Sequence, residues 1–340
     1  MTRTPAPPSL GRRRVLAITA AAAGLALPLG RPLKAWATQT QVQSYRWTGR
    51  ALGGEAEIIL YHGDRQTARR LVEASVDEIE RLENEFSLYR ADSALSRLNR
   101  DGSLALPSHD MLRLLSASRR YGQLTGGAFD ISAGILWKLY TRHFAKPGSD
   151  PRGPDPETVK AVLARVDYRS IGITGTAVNL LRDGMQLSLN GIAQGYITDR
   201  VADLLRSNGM NNVLINLGEI RGLGGRDTSD RPWRVGIRRP GSAAPVETIP
   251  LLNEAVATSA ESGFRFGGNG HHHLFDPRTG LSSNLYDSVS VIAPTAIEAD
   301  ALSTAFASLA PHEVKAVIAK RRRTRALLFT QNGDRVAVGA

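Results

Sequence analysis

The chain has 340 residues, 42% of them apolar and 22% charged, which is enough for a sizeable core in one large or two modest domains. It contains no cysteine, and that excludes disulfides, thiolate metal sites, a cysteine nucleophile and a lipoprotein anchor. Aromatic residues make up only 6%, which argues against a stacking platform for single-stranded nucleic acid.

Residues 1–37 stand apart from the rest. Arg12-Arg13-Arg14-Val15-Leu16 precedes the apolar run Ala17 to Leu29, and Ala35-Trp36-Ala37 offers a small-x-small cleavage site. The paired arginines read as a twin-arginine export signal, which predicts a periplasmic mature chain, 38–340. The run is shorter than the roughly 20 apolar residues that span a bilayer, so cleavage is expected rather than a membrane-spanning anchor. This segment holds six basic residues and no acid, and without it the formal charge of +11 falls to +5. Such a mild excess suits anionic ligands and implies no nucleic acid.

Glu55 to Tyr61 reads as a strand, and Asp64 to Phe86 as a long amphipathic helix with apolar residues at three- and four-residue steps. Asp92-Ser93 caps a short helix, Ser108 to Tyr121 is a helix ended by Gly122, and a glycine-rich turn runs from Thr125 to Asp130. Lys146 to Pro156 reads as a surface loop, Pro156 to Val166 as a helix, and short strands are expected around Ile171, Val178 and Leu187. A strand end, a glycine turn and an amphipathic helix closed by Gly209 occupy 189–209. Strands then dominate: 213–216, 219–224, 233–239, 246–252 and 288–293. Helices at Ala296–Leu309 and His312–Lys320 and a hairpin turning at Asn332-Gly333-Asp334 complete the chain. The basic run Lys320 to Arg323, with Arg325, reads as a solvated helix end. Strands and helices are mixed rather than strictly alternating, which predicts a single α+β domain.

The densest chemistry lies between His271 and Thr304. A His-x-x-Asp-Pro-x-Thr-Gly turn (His273, Asp276, Pro277, Thr279, Gly280) leads through a strand to a helix. Thr295 and Glu298 form a capping box there, which gives Glu298 a structural role. Asp300 and Thr304, four residues apart, project from one helix face, as a pair of Mg²⁺ ligands would or as a carboxylate bonded to its neighbouring hydroxyl. An imidazole beside hard oxygen ligands suits metal-assisted chemistry on a phosphate ester. Adjacent histidines on a strand alternate sides, and His273, next to the Asp276 turn, is the best candidate for a general base. The turn holding Asn190, Gly191 and Gly195 precedes a helix, so it either offers amides to a phosphate or serves as a plain strand-to-helix turn.

Seven segments in register resemble the FAD:protein FMN transferase (ApbE) family: FSLYRADSALSRLN (86–99), GGAFDISAG (126–134), LNGIAQGYITDRVADLL (189–205), INLGEIRGLG (215–224), VATS (256–259), HHLFDPRTG (272–280) and SVSVIAPTAIEADALSTAF (288–306). The resemblance implies that FAD is the substrate and that its FMN half passes to a Ser or Thr of an acceptor flavoprotein. It implies Mg²⁺ held by Asp300, Thr304 and the Ala193 carbonyl. His273 would then act on the acceptor hydroxyl, with Asp276 supporting it, and Tyr89, Ser93 and Asp130 would line the FAD site. Three departures stand out: Gln194 where many relatives have Lys, one glycine in Asn216-Leu217-Gly218-Glu219 where two are common, and Ser259-Ala260-Glu261 in place of Ser-Gly-Asp. Together they resemble the subgroup associated with nitrous-oxide reductase maturation, whose acceptor is a membrane flavoprotein.

Three other readings compete. Mg²⁺-dependent hydrolysis of FAD to FMN and AMP would use the same corner with water as nucleophile. A non-catalytic FAD carrier would have no need of Asp300, Thr304 and His273, all of which are present. A solute-binding protein would show two lobes, and no such pattern is visible.

Overall fold

The computed structural model describes residues 43–226, 230–267 and 270–339. The export segment and its cleavage site lie outside the described residues. Strands β1 (Gln43–Ala51) and β2 (Gly54–His62) form a hairpin, after which Asp64 caps helix α1 (Arg65–Phe86) by accepting from the Gln66 and Thr67 amides. Ser93 caps α2 (Ala94–Asp101), Gly102 closes it in the left-handed conformation, and β3 (Ser103–Ala105) follows. Ser108 caps α3 (His109–Leu124), and α4 (Gly134–Phe144), α5 (Pro156–Leu163), β4 (Ile171–Ile173) and β5 (Ala177–Leu180) lead to α6 (Ala193–Ser207). Then come β6 (Val213–Asn216), β7 (Ile220–Leu223), β8 (Trp233–Ile237), β9 (Glu247–Leu251) and β10 (Ala255–Ala260). Short β11 (Arg265–Phe266) and β12 (His271–His272) precede β13 (Tyr286–Ala293). Helices α7 (Ala296–Phe306) and α8 (Pro311–Ile318) and the hairpin β14 (Arg325–Thr330) and β15 (Arg335–Val338) end the described chain.

The main sheet has eight strands in the order β1-β2-β6-β7-β10-β13-β14-β15, and every neighbouring pair is antiparallel. Period-two alternation sorts its side chains into two cores. Ile58, Leu60, Val289, Val291 and Leu328 face the larger core, which the helices cover. Ile59, Ile292, Leu327 and Phe329 face the other way, against the two-stranded β8–β9 hairpin. This is a three-layer α+β arrangement, as the mixed pattern of elements predicts. A smaller sheet, β3-β5-β4, sits apart from it.

Several sequence expectations need correction. Gly122 does not end a helix: α3 runs on to Leu124, and Gly122 is there because a Cβ would lie 2.8 Å from the Tyr168 ring. Leu187 is not in a strand; the Asn99 amide side chain ties its backbone, accepting from its N–H at 2.6 Å and donating to its carbonyl at 2.9 Å. Strands β1 and β10 were not anticipated, because β1 has a half-exposed edge pattern and β10 is rich in small residues. The capping box at α7 is half made. Thr295 accepts from the Glu298 amide, but the Glu298 carboxylate is buried against Arg321 and the Thr324 hydroxyl instead. The basic run is correspondingly less solvated than expected, since Arg325 also makes a bidentate pair with Glu254 at 3.0 and 3.1 Å.

Candidate active site

The site is built where α6 and α7 meet. Each helix caps the other. Asp199 of α6 accepts from the Ala296 and Ile297 amides at the start of α7, both at 2.9 Å. In return, Asp300 of α7 accepts from the Gly195 amide in the first turn of α6, also at 2.9 Å. The start of α6 has no capping side chain of its own, so Asp300 satisfies one of its orphan donors. Glycine makes this contact possible: a Cβ on Gly195 would lie 2.4 Å from the Ala296 carbonyl oxygen, and one on Gly191 would lie 2.7 Å from Thr304 Oγ1. Gly191 and Gly195 therefore serve close helix packing, bringing the Asn190–Gln194 backbone against Asp300 and Thr304. Ala193 opens α6 between those residues.

An open cleft of about 270 Å³ lies above this junction. One end is polar, lined by Asn190, Gly191, Gln194, Glu219, Ser259, Asp300 and Thr304. Asp300 is buried and bonds Gly195 rather than Thr304; burial, opposed by the Gly195 amide and reinforced by Asp199, pushes its pKa up to about 7. Glu219, 7% exposed, lies beside it, and burial first and Asp300 second push its pKa well up. Ser259 hydrogen-bonds Ser303 at 2.9 Å and lies 3.5 Å from Thr304 Oγ1, so the three hydroxyls form one cluster. No group of three or more His, Asp or Glu side chains gathers among the described residues, so a cation here would meet two carboxylates and neutral oxygens. That donor set fits Mg²⁺, a hard ion that takes one or two carboxylates and completes its shell with substrate phosphates and water.

The other end is aromatic. Trp137 of α4 packs at 4.6 Å against Phe264, which follows β10, with the rings tilted by 46°, and makes an edge contact with His273 at 6.5 Å. His273 projects into the cleft just after β12, with Nδ1 3.1 Å from the Phe264 carbonyl. A carbonyl only accepts, so Nδ1 carries the proton and the lone pair of the neutral ring lies on Nε2. His272 faces the opposite way and is fully buried, as alternation requires. Both oxygens of Asp276 are engaged by Arg278, whose Nη2 also donates to the Ser308 carbonyl at 2.7 Å; Asp276 thus anchors the turn that carries His273.

The remaining sequence candidates are more dispersed. Asp130 lines the cleft, yet its carboxylate is held by the Ser132 amide and hydroxyl and by the Tyr168 amide, and burial raises its pKa. Tyr89 is 58% exposed, Ser93 is a buried helix cap, and Thr279 is exposed on the turn; none of the three lines the cleft. The sequence reading passed over Trp137, Phe264 and Glu219. The signal for Glu219 was an acid inside an apolar β6–β7 hairpin; for the aromatics it was the Phe264-Arg265-Phe266 alternation facing a tryptophan helix.

An α+β domain whose paired helices bring buried acids and a tautomer-fixed histidine to one cleft has the architecture of an enzyme. Comparison with known proteins gives the particular kind. The model of the ApbE family matches residues 52–329. The FAD:protein FMN transferase of Treponema pallidum is 33% identical over 261 residues, 69% of this chain and 71% of that protein. The one from Escherichia coli K12 is 28% identical, covering 89% of this chain and 88% of its own. Among solved structures, the flavin transferase ApbE of Vibrio cholerae superposes with a TM-score of 0.74 at 27% identity, over 88% of this chain and 98% of that one. The ApbE protein of Thermotoga maritima gives a TM-score of 0.77 at 26% identity, over 87% and 97%. The chain belongs to the ApbE family.

Proposed function

We propose that this enzyme transfers FMN from FAD to a Ser or Thr hydroxyl of an acceptor flavoprotein and releases AMP. Family membership supports the activity. The observation that carries it at residue level is the opening of one cleft onto both the Asp300–Thr304 pair and a histidine whose tautomer is fixed.

In this reading Asp300, Thr304 and the Ala193 carbonyl hold Mg²⁺, which when bound offsets the negative charge of the diphosphate oxygens. Asn190, Gly191, Gly195 and Asp130 shape the channel for FAD, and one of its two ring systems lies against Trp137 and Phe264. Tyr89 and Thr279, exposed outside the cleft, meet FAD at its ends, and Ser93 contributes by capping α2. The acceptor hydroxyl enters beside His273, and Nε2 takes its proton as the oxygen attacks the FMN-side phosphorus. A new P–O bond to the acceptor forms, the bond between the FMN-side phosphorus and the bridging oxygen breaks, and AMP leaves carrying that oxygen. Arg278 holds Asp276, and Asp276 holds the turn, so that His273 stays in line. Gln194 supplies a neutral amide where a lysine would add charge. The N-terminal segment directs the enzyme to the periplasm by the twin-arginine route, and the acceptor is a membrane-bound redox or maturation protein.

The test is product stoichiometry. With FAD, Mg²⁺ and acceptor, AMP should appear in equal amount to protein-bound flavin, with little free FMN. Free FMN equal to AMP, with no flavin on the acceptor, would make the enzyme a hydrolase.

A further inference from the structure

We propose that Glu219 is a further ligand-side carboxylate of the divalent-cation site, acting directly or through one bound water, and that it gives the site its second negative charge. This rests on the magnesium reading of the Asp300–Thr304 corner and extends it to a residue outside that pair. Glu219 sits at the turn between β6 and β7, which is closed by Gly218 at φ +104° and by the Leu217 amide donating to the Glu219 carbonyl at 3.1 Å. A Cβ on Gly218 would lie 2.6 Å from Gln194 Nε2, so the turn is pressed against α6 and the Glu219 side chain is directed into the cleft. One carboxylate oxygen accepts from the Thr258 amide, while Oε2 is buried with no hydrogen-bond partner.

A buried carboxylate oxygen with no donor is costly, and this one faces a second buried carboxylate, Asp300. Two acids at the polar end of a cleft that receives an anionic diphosphate would repel that substrate. A hard divalent cation between them resolves both conflicts: it satisfies Oε2 and reverses the local charge presented to the phosphates. The Asp300–Glu219 pair thus makes an oxygen-rich site for an Mg²⁺-sized ion, with Thr304 as neutral partner.

The test is calorimetric titration of the full-length protein, without FAD, with Mg²⁺ and separately with Mn²⁺, together with melting curves of the cation-free protein. Glu219→Gln should weaken cation binding at least about tenfold. It should also raise the cation-free melting temperature, because two buried acids no longer share one corner. Glu219→Asp, which keeps the charge, should bind within about threefold of wild type. Wild-type affinity in Glu219→Gln overturns the inference, and so does a lower cation-free melting temperature, which would mark a residue that only supports the fold. If Asp300→Asn abolishes binding while Glu219→Gln does not, this inference falls and the magnesium reading stands. If the wild-type protein binds neither ion, both fall.

Discussion

The Phe264 carbonyl accepts from His273 Nδ1 at 3.1 Å, and this leaves the lone pair of the neutral ring on Nε2. A base so oriented contributes about 10²–10⁴-fold to proton transfer. His273→Ala should therefore slow acceptor flavinylation by about that factor while FAD affinity, followed by flavin fluorescence, stays nearly constant. Equal losses in both would make His273 a binding residue. Trp137 carries a different role. If a flavin or adenine ring stacks on it, Trp137→Ala should weaken FAD binding by about 1–3 kcal/mol, with a smaller effect on the rate of the bound complex. At this scale the sequence was partly legible. His273, Asp300 and Thr304 stand in local patterns whose spacing shows their chemistry. Glu219, Trp137 and Phe264 come from separate elements and meet only through β-sheet register and helix packing, which no local pattern encodes.

Helices α6 and α7 are joined by mutual capping, Asp199 on one and Asp300 on the other, and Gly195 sets their separation. Gly195→Ala would place a Cβ 2.4 Å from the Ala296 carbonyl oxygen, so the helices must part. Overpacking of this kind costs about 1–3 kcal/mol, read as a lower denaturant midpoint, and it should weaken catalysis as Asp300 shifts. An unchanged midpoint would show that the junction is looser than its geometry implies. A second tie joins α1, α3 and α6: Asp110 accepts from the Tyr196 hydroxyl at 2.6 Å and from Arg81 at 2.7 Å. Burial acts to raise the Asp110 pKa, but these two donors outweigh it and hold the carboxyl below its ordinary 3.8. Its folded pKa lies below the unfolded one, so its contribution is whole above pH 3.8 and is lost as pH falls through the lowered value. Asp110→Asn should cost about 1 kcal/mol at pH 7, since the site is partly screened, and nothing once both pKa values are passed. Chemical denaturation at pH 7 and at successively lower pH measures the difference; a loss that stays the same throughout would assign the effect to packing. Long elements such as α1 were legible because their caps and apolar periods agree. The C-terminal end of α3 and the strand β10 were not, because Gly122 answers to the Tyr168 ring and β10 answers to its neighbours in the sheet.

Across the whole molecule, the inner strands of the eight-stranded sheet are buried on both faces, by helices on one and the β8–β9 hairpin on the other. The α+β class could be read from the mixed order of strands and helices. The three-layer arrangement could not, because strands that alternate apolar side chains on both faces look the same whatever covers them. The polar and aromatic ends of the cleft are assembled from elements far apart in sequence, α4, α6, α7 and the segment that follows β10. The most direct test of the account is intact-mass spectrometry of an acceptor domain bearing Ser or Thr at its flavin attachment site, incubated with this enzyme, FAD and Mg²⁺. The account predicts an adduct with the mass of FMN less water, lost on adding EDTA and in Asp300→Ala. An acceptor of unchanged mass while FAD is consumed, or an adduct indifferent to EDTA and to Asp300, would contradict it.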